Sequence, residues 1–205
     1  MTKAKRLGIL GGTFDPIHIG HLATAEAVRT EYGLDTILFI PSANPPHKQD
    51  VEVTDAVHRY AMMVLATQSN PHFAVSKIEM ERKGLSYTIY TLKELLAIYG
   101  ADTELYFITG SDALAELHTW ENIYGVLELT HFIAASRPGI DKTAEIIDSF
   151  GELGRKKIHP LTIPELEISA TDIRRRVAQG KSIRYIVPDR VVQYIEENGL
   201  YRTNK

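Results

Sequence analysis

The chain reads as an α/β protein with a doubly wound, mainly parallel sheet, one domain over residues 1–205, and helices at its C-terminal end. Three observations predict this. Short apolar runs alternate with helical periodicities along the chain. Glycine or proline punctuates most junctions. Polar residues cluster just after the strands, where sheets of this kind bind ligands. The first apolar run, Leu7 to Leu10, is ended by Gly11-Gly12 and reads as a buried strand. Ile19 to Tyr32 reads as a helix closed by Gly33 in the C′ position. Thr36 to Ile40 is a second strand, stopped at Pro41 and followed by a polar loop from Ser42 to Thr54 that contains Pro45-Pro46-His47-Lys48. A helix from Thr54 to about Thr67 and a strand from Phe73 to Ile78 come next. Thr88 to Tyr99 is helical and closed by Gly100. Leu105 to Thr109 and His131 to Ala135 are strands, ended by Gly110-Ser111-Asp112 and Ser136-Arg137-Pro138-Gly139. Ile158 to Ile163 is the last strand, and helices near Ala170–Gln179 and Pro188–Asn198 close the chain, capped by Gly180 and Gly199. Strand–helix alternation at this spacing predicts right-handed βαβ units.

Composition narrows the function classes. With 205 residues, 44% of them hydrophobic, the chain can bury a sizeable core. Lys plus Arg number 23 and Asp plus Glu 26, a net charge of −3, which argues against non-specific binding of nucleic acid. There is no cysteine, so disulfides, thiolate zinc sites and thiol nucleophiles are excluded. The basic start Met1 to Arg6 is followed by an apolar run too short for a signal peptide, and no run approaches the ~18 residues of a membrane span. The expected setting is a reducing cytoplasm, without a membrane partner; a homo-oligomer is left open.

The turn between the first strand and the first helix carries the strongest signal. It runs Gly11-Gly12-Thr13-Phe14-Asp15-Pro16-Ile17-His18-Ile19-Gly20-His21. Two glycines let backbone approach a ligand closely. A helix start offers free N–H groups and the positive end of the dipole, a seat for phosphate. His18 and His21 are three apart and so share a helix face. Two imidazoles there can donate to phosphate oxygens and stabilise charge that grows in a transition state. Gly20 between them leaves room for a base or ribose. A single histidine would read as a satisfied surface residue, but the whole string at a strand–helix junction does not. No Gly-Lys-Ser/Thr follows, so this is no P-loop, and the dinucleotide glycine pattern is absent as well.

A second seat lies near the C-terminus. Ser169 is a good N-cap, and Asp172 three residues on completes a capping-box-like pattern. Hydroxyls at a helix start with Arg174 one turn in also suit phosphate. Both a capped helix and a phosphate site explain this string locally.

Gly12-Thr13-Phe14-Asp15-Pro16 with His18-Ile19-Gly20-His21 resembles the signature of the HxGH nucleotidyltransferase superfamily, whose Rossmann-like members move a nucleotidyl group to a phosphate-bearing acceptor and release pyrophosphate. Ser169, Thr171 and Arg174 match a Ser-x-Thr-x-x-Arg segment that holds the triphosphate tail of ATP there. Within the superfamily the chain is most similar to the bacterial nicotinate-nucleotide adenylyltransferases. The strings Pro45-Pro46-His47-Lys48, Ser86-Tyr87-Thr88, Gly110-Ser111-Asp112, Trp120 and Ser136-Arg137-Pro138-Gly139 carry that similarity, with Ala170 a small departure where Ser is more usual. The resemblance implies ATP and nicotinate mononucleotide as substrates, His18 and His21 as catalytic residues, and Gly11, Gly12, Thr13, Phe14, Ser169, Thr171 and Arg174 beside them on ATP. It implies Lys48, Thr88, Gly110, Asp112, Trp120 and Arg137 on the acceptor, with Thr88 at the nicotinate carboxylate and Trp120 stacked on the pyridine ring. Read without it, Lys48 is an exposed loop lysine or an acceptor-phosphate clamp, Asp112 a cap or a ribose ligand, Trp120 a packing residue, and Thr88 a helix cap. Asp15 more often fixes a turn than binds metal. No carboxylate cluster builds a cage, so the implied Mg²⁺ would be held mainly by ATP phosphates and water, with no protein metal site. The alternatives are another adenylyltransferase or cytidylyltransferase of the superfamily, or a nucleotide-binding module without turnover.

Overall fold

Leu7 and Ile9 on the first strand face one way and Leu10 the other, and the same two-residue alternation recurs at Ile37/Phe39 against Leu38/Ile40. Strands apolar on both faces must be covered on both faces, and the structure covers them with helices on each side. The computed structural model describes residues 6–42, 53–82, 84–136, 143–163 and 166–202, without the side chains of Ser111, Asp112 and Ser136. The strands are β1 (Arg6–Gly12), β2 (Thr36–Pro41), β3 (Phe73–Val75), β4 (Glu104–Gly110), β5 (Thr130–Ser136) and β6 (Ile158–Thr162). They form one six-stranded sheet in the order β3-β2-β1-β4-β5-β6. Every pairing among them is parallel.

Helices α1 (Ile19–Glu31), α2 (Ala56–Thr67), α8 (Ala170–Ala178) and α9 (Asp189–Glu197) bury Val28, Met62, Ile173 and Val191 in the core on one face. Helices α3 (Thr88–Tyr99), α4 (Ser111–Ala115) and α5 (Ile123–Leu129) bury Leu92, Leu114 and Val126 in the core on the other. Two more helices, α6 (Thr143–Ser149) and α7 (Gly151–Lys157), lead into β6. Among the described residues, no helix is long and apolar enough to cross a membrane.

The sheet departs from the sequence expectation in three places. Gly11 and Gly12 do not end β1 but belong to it, in register with Ile40 and Pro41. The third strand stops at Val75 rather than Ile78. Its final rung is Ser76 N–H to the Phe39 carbonyl at 2.9 Å, and the next would need an N–H from Pro41, which has none. Finally, α4 to α7 were not anticipated, because helices of five to seven residues span too few turns to print a 3.6 period.

One buried cation ties the first turn to the sheet. Arg59 on α2 is 2% exposed. Its Nε donates to the Thr54 carbonyl at 2.9 Å, and its Nη1 to the carbonyls of Thr13 at 2.7 Å and Ser42 at 3.0 Å. It thereby joins the start of α2, the first turn and the chain just after β2. Replacing it by Met keeps the bulk but leaves those carbonyls without a donor. Arg59→Met is expected to lower unfolding free energy by about 3 kcal/mol or more. A urea midpoint equal to that of the wild type would contradict this.

Candidate active site

Going outward from β1 and β4 the strand order runs in opposite directions, which makes the gap between their carboxyl ends the topological switch point. A cavity of about 510 Å³ opens there. Its floor is strand-end backbone at Gly11, Gly12, Thr109 and Gly110. One wall is the start of α1, with His18, Gly20 and His21; another is the start of α3, with Ser86 and Thr88. Trp120, Ile163, Leu166 and Ile168 close the remaining sides.

His18 is the N-cap residue of α1, in extended conformation, and His21 lies three residues into the helix. Their rings stack with centroids 3.6 Å apart. The His18 backbone N–H donates to His21 Nδ1 at 3.2 Å. A neutral His21 whose Nδ1 accepts must carry its hydrogen on Nε2, and so presents a donor. Burial lowers His18 to a pKa of about 4, and burial together with the neighbouring His18 lowers His21 to about 3. Both are therefore neutral at pH 7. His18 is 7% exposed, and its buried Nδ1 has no hydrogen-bond partner among the described residues.

The helix start offers fewer free donors than expected. The Ile19 N–H donates to the Ile186 carbonyl and the His21 N–H to the His18 carbonyl, both at 3.0 Å. Gly20 lines the cavity, but a Cβ there would also lie 3.1 Å from His18 Nδ1. The glycine thus spares the His18 ring as much as it makes room for a ligand.

Behind the histidines the turn is braced from far along the chain. Phe14 has φ +50° and is buried in the core, its ring edge-on to His21 at 5.0 Å, so its side chain supports the imidazole rather than facing the cavity. Asp15 is 4% exposed. Its carboxylate accepts from the Thr54 N–H at 3.1 Å and the Tyr201 hydroxyl at 2.6 Å. Burial and the Asp15 carboxylate push the Tyr201 phenol far up. Arg174 Nη1 donates to the Asp15 carbonyl at 2.6 Å, and its Nη2 to Thr171 Oγ1 at 3.3 Å. The two motifs thus meet, although Thr13, Ser169, Thr171 and Arg174 do not themselves line the cavity wall. Ser169 caps α8 by accepting from the Asp172 N–H at 3.1 Å, as the capping pattern foresaw, while Asp172 pairs with Arg175 instead of completing the box. Arg174 holds a main-chain carbonyl of the first turn and so contributes to the fold as well as to the site.

On the α3 wall, Thr88 is the first helical residue and Tyr87 the N-cap, so Thr88 does not cap. Trp120 lines the cavity and packs edge-on against Phe107 at 5.5 Å and Phe132 at 5.8 Å, in keeping with its reading as a packing residue. Asp112 falls in the first turn of α4, with its side chain outside the described part; Lys48 and Arg137 lie outside the described residues altogether. Sequence reasoning missed Arg59, Tyr201 and Glu79. Arg59 alone left a signal: it occupies the buried stripe 59, 62, 63, 66 of α2, where a charge among apolar residues marks a buried anchor.

A profile of cytidylyltransferase-like proteins matches residues 9–176. A protein of Thermoanaerobacter sp. (strain X514) named "Probable nicotinate-nucleotide adenylyltransferase" is 50% identical over 207 residues, covering 100% of this chain and 98% of its own. A Moorella thermoacetica protein of the same name is 50% identical over 204 residues, covering 98% and 94%. A solved structure of Plasmodium falciparum nicotinic acid mononucleotide adenylyltransferase complexed with NaAD shares the fold, with TM-score 0.78 at 20% identity, covering 96% of this chain and 97% of that one. The chain belongs to the cytidylyltransferase-like nucleotidyltransferases and, within them, to the nicotinate-nucleotide adenylyltransferase family.

Buried neutral histidines set a pH dependence. Their folded pKa values of about 4 and about 3 lie below the ordinary 6.5, so as pH falls the unfolded chain takes up protons first. Stability is then greatest above about 6.5 and is lost as pH falls toward 4, with His131 and His159, also lowered by burial, adding to the slope. In urea titrations, the doubly substituted His18→Asn/His21→Asn protein should lose less stability across that window than the wild type. Parallel curves would show that the pair does not titrate as described.

Proposed function

We propose that the chain transfers an adenylyl group from ATP to nicotinate mononucleotide, giving deamido-NAD and pyrophosphate. The observation that carries this reading is the pair of neutral, stacked imidazoles at the switch-point cavity, facing a second wall built from Thr88 and Trp120. The relatives named for that activity span nearly their full length, and a soluble cytoplasmic enzyme, alone or as a homo-oligomer, fits the reading.

An oxygen of the acceptor phosphate attacks the α-phosphorus of ATP in line, while the bond from that phosphorus to the bridging oxygen of the β-phosphate breaks. The attacking oxygen is already anionic, so neither a general base nor a covalent enzyme intermediate is needed. His18 and His21 donate to the α-phosphate as charge builds on it. Gly11 and Gly12, followed by the backbone of Thr13 and Phe14, let ATP lie against the strand end. Ser169, Thr171 and Arg174 hold the β- and γ-phosphates; Ser169 uses its oxygen to cap α8 but keeps its own O–H to donate. Thr88, Gly110 and Trp120 receive the pyridine nucleotide, and Lys48, Asp112 and Arg137 complete the acceptor set on sequence grounds. Mg²⁺ would be carried mainly by the triphosphate and its water. When bound so, it would neutralise charge on the leaving pyrophosphate.

The test is pyrophosphate release from ATP with nicotinate mononucleotide or its amide. The acid should be much the better acceptor, because donors set for a carboxylate match a carboxamide poorly. No release with either, or equal kcat/KM for both, would overturn the reading. His18→Ala and His21→Ala should each lower kcat by ~10²-fold, the scale of one preorganised donor. Wild-type turnover in both would remove them from the chemistry. Arg174→Ala should raise KM for ATP by ~10- to 100-fold and, through the lost Asp15 contact, lower stability by about 1–3 kcal/mol. Normal use of ATP by the folded variant would leave Arg174 as a brace only.

A further inference from the structure

Glu79 is the one carboxylate lining the cavity among the described residues, and the reaction above gives it no task. It lies in the segment joining β3 to α3. Its Oε1 accepts from the Thr91 hydroxyl at 2.9 Å. Ser86, just before α3, also hydrogen-bonds its carboxylate. Thr91 is 2% exposed and three residues past Thr88, hence on the same helix face. Arg82 donates to Thr91 Oγ1 at 3.0 Å and is itself fixed by Glu94 through Nε at 3.1 Å and Nη2 at 2.8 Å.

The start of α3 needs such a grip. Its N-cap, Tyr87, supplies no side-chain hydrogen bond, and its first turn holds no acidic residue. Glu79 instead holds Ser86 on one side of the helix start and Thr91 on the other, with Thr88 between them. Burial pushes the Glu79 carboxyl up, while the Thr91 and Ser86 hydrogen bonds and the Arg82 charge pull it down. We propose that Glu79 is a positioning residue for the acceptor: by fixing Ser86 and Thr91 it sets Thr88 against the nicotinate carboxylate and so governs acceptor affinity. This rests on the adenylyl-transfer reading.

Steady-state kinetics with ATP and nicotinate mononucleotide, alongside thermal melts, test it in the wild type, Glu79→Ala, Glu79→Gln, Thr91→Val and the Glu79→Ala/Thr91→Val double variant. Glu79→Ala should raise KM for nicotinate mononucleotide about tenfold or more, with kcat and KM for ATP within about twofold. Glu79→Gln should recover most of that affinity, since the amide oxygen can still accept from Thr91. Thr91→Val should resemble Glu79→Ala, and the double variant should be no worse than either, because both remove one connection. If Glu79→Ala does not fold, Thr91→Val carries the same expectation. An unchanged acceptor KM in Glu79→Ala, or in Thr91→Val where that variant stands alone, overturns the proposal. So does an equal rise in both substrates' KM, or a Glu79→Gln variant as impaired as Glu79→Ala. A wild type that makes no product from this acceptor removes the functional reading and this inference together, whereas an active wild type with an indifferent Glu79→Ala removes the inference alone.

Discussion

Asp15 and Arg59 are both almost fully buried, and the carboxylate of the first lies close enough to favour the cation of the second. Neither charge would be tolerated there unpaired. Together they make six hydrogen bonds: the side chain and main chain of Asp15 bind Thr54, Tyr201 and Arg174, and Arg59 gathers the carbonyls of Thr54, Thr13 and Ser42. The first turn has few hydrogen bonds of its own and passes through a left-handed residue, Phe14, that is not glycine. A conformation of that kind persists only where its surroundings impose it. The His18–His21 stack stands on this turn, so the placement of the imidazoles is inherited from two buried, oppositely charged side chains that do not line the cavity.

The same network explains how a site can be built from both ends of a chain. Arg174 and Asp15 are 159 residues apart, yet one 2.6 Å hydrogen bond joins them. Tyr201, near the end of the described chain, reaches the other side of the same aspartate. The parallel sheet makes this possible. Every strand exits on the same edge, so loops distant in sequence collect over β1 and β4. Helices α8 and α9 add no strand. They pack on the core beneath α1 and α2, and the Ile186 carbonyl before α9 takes the first N–H of α1.

The sheet was legible because its strands are apolar runs bounded by glycine and proline, and five of the six both begin and end within two residues of where those signals place them. β3 failed because its length depends on a hydrogen-bond donor missing from another strand, at Pro41. The short helices α4 to α7 failed because periodicity needs more turns than they have. In the site, the residues that touch phosphate in the resemblance were readable as motifs: His18 and His21 do share a face, and Ser169 does cap its helix. What could not be read was the bracing. Tyr201 meets a partner 186 residues away, and Glu79 one twelve residues on, across the turn into α3, and neither pairing follows from a local pattern. Arg174 shows the same limit, since its spacing marks it as a phosphate ligand but says nothing of the carbonyl it also holds.

Electrostatics gives the site its character. The histidines are neutral by burial, and Arg174 is turned toward the Asp15 carbonyl. At this wall an incoming triphosphate therefore meets oriented dipoles in a pair of neutral imidazoles. Dipoles fixed in advance need little reorganisation as charge shifts from the attacking oxygen to the leaving group. The arrangement has a cost in the free protein: burying an imidazole nitrogen such as His18 Nδ1 without a partner costs on the order of 1–3 kcal/mol. An arriving anion reverses that balance, because it both supplies a partner and favours the protonated ring that burial had disfavoured. Strain of this sort is removed by ligand and returns when the ligand leaves, which makes the same pair of side chains a weak point of the empty fold and the strongest point of the occupied one.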